Sequence, residues 1–146
     1  MRLKDRKGMT AMADAMIFVV IMGLAASALF AFGGDDISED DASKISESIF
    51  SAKLRTSDIL DTDDSGLIGL PDLTAFRIMT GEGDALQYIE DVLDSFFQRP
   101  GSYYLEIEYN GDSVAIGNPD GTEVCSCIKE FTVTYGGSIR TELRLY

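Results

Sequence analysis

The stretch Tyr103–Gly117, YYLEIEYNGDSVAIG, decides the fold class. Tyr103, Leu105, Ile107 and Tyr109 alternate with Tyr104, Glu106 and Glu108, which makes one side of an extended segment apolar and the other polar. A helix repeats its apolar positions every three or four residues and cannot carry this period. Asn110-Gly111 follows at once, and both residue types tolerate the positive φ that a tight hairpin turn demands. Ser113 to Gly117 then reads as the returning strand.

Toward the C-terminus the same period continues. Asn118-Pro119-Asp120-Gly121 is a turn. Phe131, Val133 and Tyr135 alternate with Thr132 and Thr134, Gly136-Gly137 turns the chain, and Ile139, Thr141, Leu143 and Leu145 line one side of a last strand. The expectation is an antiparallel meander of about four strands, one face packed under helices and the other wet.

Toward the N-terminus the period is helical. Arg99-Pro100-Gly101-Ser102 closes a helix over about Asp84 to Gln98, with Ala85, Ile89, Val92 and Phe96 as its buried stripe and Leu86 and Leu93 alongside. Pro71 to Met79 reads as a shorter helix, with Leu73, Phe76 and Met79 three apart and Gly81 as its stop. A third runs from roughly Asp41 to Leu60, where Ile45, Ile49 and Ala52 are spaced four and three apart beside Phe50 and Leu54. Ser38 and Asp41 before it form a capping box with Asp in place of Glu. Helices gathered first and strands after them indicate an α+β fold with a C-terminal antiparallel sheet.

Between these helices lies DTDDSGLIGLPD, Asp61–Asp72. Acids stand at the first, third and twelfth positions, Ser65 at the fifth and Gly66 at the sixth. Calcium takes six to eight hard oxygen ligands, and a loop of this spacing folds around it with Gly at the tight turn. The phrase resembles a calcium loop of the EF-hand or dockerin kind. That resemblance implies side-chain ligands from Asp61, Asp63, Ser65 and Asp72, and the carbonyl of Leu67. The competing reading is an acidic turn leading into the helix at Pro71, an early position that proline tolerates.

The two cysteines, Cys125 and Cys127, are no disulfide framework. Positions i and i+2 of a flat strand lie about 6.5–7 Å apart, at the edge of what a bridge tolerates. Free thiols and a disulfide, within or between chains, both stay open.

Charge and composition exclude more than they identify. The formal net charge is -13, and four of the 12 basic residues (Arg2, Lys4, Arg6, Lys7) precede Gly8. So acidic a body repels phosphate backbones, which argues against nucleic acid as a partner. There is no histidine, which removes imidazole acid–base catalysis, Ser-His triads and imidazole–metal sites. No phosphate-cradling Gly loop or nucleophile context is present, and the sequence points to no enzyme.

Residues 9–34, MTAMADAMIFVVIMGLAASALFAFGG, carry no charge from Ala15 to Gly34, about 20 residues and enough to cross a bilayer. The basic leader 1–8 stays cytoplasmic by the positive-inside rule, placing residues 35–146 outside as an acidic domain. A cleaved secretory signal ending at Ala26-Ser27-Ala28, past which the run continues to Phe32, competes with a plain signal anchor and a prepilin-like segment for this run. Arg6-Lys7-Gly8 before MTAMADAMIF resembles the class III signal of archaeal type IV pilin-like proteins. The resemblance implies cleavage after Gly8, Met9 as the first mature residue, and a retained helix that packs against other pilin-like subunits. The fifth mature position, often Glu in that family, is Ala13 here, with Asp14 next. Asp14 is costly in lipid unless it is paired or interfacial. Gly23 and Ser27 supply the small-xxx-small spacing that permits close helix approach. The expected function is that of a membrane-anchored or filament-forming surface protein with a structural or interaction role. The alternative is a membrane-tethered module with one calcium loop.

Overall fold

A computed structural model describes residues 37–146. The readings that involve Gly8, Met9, Asp14, Gly23, Ser27 and the apolar run lie outside the described residues. Helix α1 (Glu39–Phe50) leads into strand β1 (Lys53–Arg55) and a single helical turn, α2 (Thr56–Ile59). Strand β2 (Leu67–Gly69) runs directly into α3 (Leu70–Thr80), followed by α4 (Ala85–Phe96). Four strands complete the chain: β3 (Tyr103–Tyr109), β4 (Asp112–Ile116), β5 (Cys125–Thr132) and β6 (Ser138–Leu145). The fold is α+β.

Helix α1 opens on the expected capping box. The Asp41 backbone N–H donates to the Ser38 hydroxyl at 3.3 Å, and the Ser38 backbone N–H donates to the Asp41 carboxylate at 3.0 Å. Its end is a correction, because the helix stops at Phe50 instead of running to Leu60. The segment beyond leaves the helix to pair as β1 with β2, Leu54 opposite Ile68. Helix α3 carries Pro71 in its first turn, where a missing N–H costs nothing, and ends on Gly81 at φ 75. In α4 the most buried positions are Ala85, Ile89 and Leu93, four apart. Val92 and Phe96, expected in the stripe, are half-buried at its flank.

The four-stranded sheet has the order β4-β3-β6-β5, which corrects the expected meander. Two hairpins, β3–β4 and β5–β6, lie side by side and join through the antiparallel pair β3–β6. The β3–β4 turn has Asn110 at φ 53 and Gly111 at φ 90, both in the left-handed region the sequence called for. Residues 117–124 cross one end of the sheet from β4 to β5. They are fastened by the Asp120 N–H to the Gly101 carbonyl at 3.1 Å and the Val124 N–H to the Leu145 carbonyl at 2.7 Å.

Alternation places Tyr103, Leu105, Ile107 and Tyr109 with Ile139, Thr141, Leu143 and Leu145 on the inner face, all buried. Helix α1 packs across β5 and β6, and α3 packs against β4, β6 and α4. Phe50 of α1 stacks on Phe131 of β5 with ring centroids 4.8 Å apart. Fully burying a side chain such as Leu143 is worth about 1.5–3 kcal/mol, so this helix-covered face supplies the bulk of the cohesion. The expected partners Val133 and Tyr135 fall beyond β5, where Val133 is buried and Tyr135 exposed.

Candidate functional site

The acidic segment after α2 is organised by its own side chains. The Asp64 N–H donates to the Thr62 hydroxyl at 3.3 Å, and the Gly66 N–H donates to an Asp64 carboxylate oxygen at 2.9 Å. The Gly66 carbonyl then accepts from both the backbone N–H and the hydroxyl of Thr56, at 2.9 and 3.0 Å. These bonds close an eleven-residue loop onto the start of α2. Asp61, Asp63 and Ser65 are exposed on it, and Leu67 has already entered β2 opposite Arg55.

Asp72, the twelfth position of the expected calcium loop, belongs to a different contact. Its two carboxylate oxygens accept from the backbone N–H and the hydroxyl of Thr134, both at 2.7 Å. Its carbonyl accepts from the Tyr135 hydroxyl at 2.7 Å. The Tyr109 hydroxyl donates to the Gly136 carbonyl at 2.9 Å, so the turn after β5 is pinned to α3 on one side and β3 on the other. Burial, and then the Asp72 carboxylate, push the Tyr135 phenol above its ordinary pKa. Among the described residues no three Cys, Asp or Glu side chains are grouped so that they could hold a metal ion. The five expected ligands are thus divided between a self-bonded turn, a strand and a helix start.

Cys125 and Cys127 are free thiols on the helix-covered face of β5, Cys127 buried and Cys125 half-buried. The strand that holds them is paired residue by residue with β6, Cys125 opposite Leu145 and Cys127 opposite Leu143. That extended geometry keeps neighbouring thiols of one chain too far apart for an unstrained bridge. Burial raises the Cys125 pKa, and the carboxylates of Asp41, Glu123 and Glu39 raise it further. A thiol among carboxylates stays protonated and is a poor nucleophile or metal ligand near neutral pH.

The remaining polar contacts fasten the fold. The Tyr103 hydroxyl donates to Asp94 at 2.7 Å, tying β3 to α4. Lys129 of β5 donates to Glu47 of α1 at 2.7 Å. On the outer face of the sheet Arg144 contacts Glu142 at 2.9 Å and lies 5.7 Å from the Tyr104 ring centroid. Three features escaped sequence reasoning: the clasp between Asp72 and Thr134, the pairing of β1 with β2, and the position of β5 at the sheet edge. None has a local signal, because each joins segments separated in the chain.

Comparison with protein-family models, curated proteins and solved structures finds no match.

Proposed function

We propose that this chain is a membrane-anchored, pilin-like surface protein whose acidic α+β domain is displayed outside the cytoplasm in a structural or interaction role. One observation carries the reading. A charge-free run of about 20 residues sits between a basic leader and the acidic body. The first described helix supports it by carrying its own cap, since Ser38, four residues after Gly34, closes a capping box with Asp41. The order of elements, helices and then an antiparallel sheet, suits the same outline. Among the described residues no helix is long and apolar enough to cross a membrane.

The resemblance at Arg6-Lys7-Gly8 adds processing after Gly8, with membrane and neighbouring pilin-like subunits as partners of the retained helix. Sequencing the N-terminus of the membrane-derived protein tests this. Met9 is the expected first residue. Met1 would overturn the processing while leaving a plain anchor, and a start near Leu29 would overturn the anchor too. No observation favours the calcium module, since Asp72 is engaged by Thr134.

A further inference from the structure

We infer that β5 is the surface through which two copies of this chain pair, edge to edge and antiparallel, in a register centred on Ser126. Among the described residues strand β5 has β6 as its sole neighbour in the sheet, and no strand lies along its other edge over its eight residues. Exposed edges are usually blunted by proline, by a short strand or by lysine turned outward. This edge has no proline, and its lysine, Lys129, is drawn to Glu47 of α1. Two large apolar side chains are left in water beside it, Val124 at 61% and Ile128 at 52% exposure.

The sequence of the edge is complementary to itself in one register. A two-fold axis through the Ser126 pair sets Val124 opposite Ile128 of the second copy, Glu123 opposite Lys129, and Cys125 opposite Cys127. Each relation occurs twice because the interface is isologous. Only shifts of one residue in the centre are allowed, since both copies must keep their helix-covered faces on the same side. Centring on Cys125 opposes Asp120 to Glu130 and leaves Val124 against Ser126. Centring on Cys127 sets Val124 against Glu130 and Ile128 against Ser126. The Ser126 register alone among the three matches apolar with apolar and acid with base. Each Lys129 stays with Glu47 of its own α1 and meets Glu123 of the second copy beside it, so the Glu123–Lys129 pairs choose the register more than they strengthen it. The affinity comes from the ladder hydrogen bonds and the Val124–Ile128 contacts. The net charge of -13 on each copy opposes association, so added salt tightens the pair.

The thiols report the register. Directly opposed residues of antiparallel strands have Cα atoms about 4.5–5.5 Å apart, within disulfide range. The experiment uses the full chain in detergent micelles, with Cys125→Ser and Cys127→Ser variants. Samples are mixed under reducing agent, freed of it, and oxidised by dissolved oxygen with a copper catalyst. Each bridge formed releases two thiol protons and passes two electrons to oxygen. The wild type is expected to give a covalent dimer on a non-reducing gel. Each single variant alone should give less than a tenth of that yield, and an equal mixture of the two should restore the band. Comparable dimer from either variant alone, or none from the mixture, overturns the register. As a second check, Ile128→Glu changes an exposed residue and should preserve the circular dichroism spectrum while abolishing the wild-type cross-link. An undiminished cross-link in that variant overturns the interface.

Discussion

The two carboxylate oxygens of Asp72 accept from the backbone N–H and the hydroxyl of Thr134, at 2.7 Å each, across 62 residues of chain. With the Tyr135 hydroxyl on the Asp72 carbonyl, three hydrogen bonds hold the start of α3 to the turn after β5. Charge-assisted bonds of this kind contribute about 1–2 kcal/mol together when partly solvated. Asp72→Ala should therefore lower the unfolding free energy by about that amount, with an unchanged slope in urea. Asp72→Asn keeps one acceptor for the Thr134 N–H and should lose roughly half as much. With Asp72 held by Thr134 and no three acidic side chains grouped for a metal ion among the described residues, millimolar calcium should leave the melting temperature of wild type and Asp61→Ala alike unmoved.

The same clasp shows what sequence could and could not disclose. The spacing DTDDSGLIGLPD is a local pattern, and it suggested a ligand set. The partner that claims Asp72 lies 62 residues on, with no local mark. Similarly, the apolar spacing of Ile45, Ile49 and Ala52 runs past Phe50 and invites a longer helix. The chain departs because Lys53–Arg55 find Leu67–Gly69 as strand partners, a gain invisible to helical periodicity. Turn chemistry at Asn110-Gly111 and Gly136-Gly137 identified both hairpins. It could not say that β3 and β6 meet in the middle, since that pairing is set by which apolar faces bury together. Strand faces were legible because a period of two has only one register that buries Leu105, Ile107, Ile139 and Leu143.

At alkaline pH the buried phenols should govern stability. Burial pushes Tyr88 up to about 12. Tyr103 is raised further, by burial first and then by its hydrogen bond to Asp94. A folded-state pKa above the unfolded value means the folded chain holds its proton more tightly. The stabilisation is complete below pH 10.0, the ordinary phenol value, and is lost as pH rises through the folded values. Tyr103→Phe should flatten that alkaline limb, leaving the parts due to Tyr88 and Tyr135, and cost about 1 kcal/mol at neutral pH. Melting temperatures measured from pH 8 to pH 11.5 check the first effect, and urea unfolding at pH 7 checks the second.

The acid limb has the opposite sign. The Asp41 pKa is lowered, mainly by the Ser38 backbone N–H and then its hydroxyl, and the Glu142 pKa is lowered mainly by the Arg144 hydrogen bond. Folded pKa values below the unfolded ones contribute stability above the ordinary carboxylate range, lost as pH falls through the folded values. Glu142→Gln should make stability fall less steeply below pH 4.5, the ordinary Glu value. Ser38→Ala should do so to a lesser degree below pH 3.8, the ordinary Asp value, because alanine keeps the backbone N–H that acts most on Asp41. Removing the cap at Ser38 should also cost about 1 kcal/mol at neutral pH. Thermal melts across pH 3 to 7 separate the two effects, because the cap loss persists where both carboxylates are ionised.

Two glycines with the same backbone sign should respond very differently to alanine. Gly111, at φ 90 in the β3–β4 turn, has open space where a Cβ would stand. Gly111→Ala then pays only the cost of a left-handed backbone, about 1 kcal/mol. Gly117, at φ 96 where β4 hands over to the crossing segment, has the Tyr103 carbonyl oxygen 2.5 Å from the same position and the Tyr103 ring at 3.1 Å. That oxygen is backbone of a central strand and cannot swing aside as a flexible side chain would. Relief requires β4 and β3 to separate where Leu105 pairs with Ile116, at the end of the sheet that the crossing segment closes. Gly117→Ala should therefore cost at least about 2–3 kcal/mol, through strain and lost pairing together. Hydrogen exchange locates the damage: faster exchange at Leu105 and Ile116 is expected in Gly117→Ala, and unaltered exchange there in Gly111→Ala. Equal destabilisation by the two substitutions would mean that the close approach of Gly117 to Tyr103 does not hold this end of the sheet together.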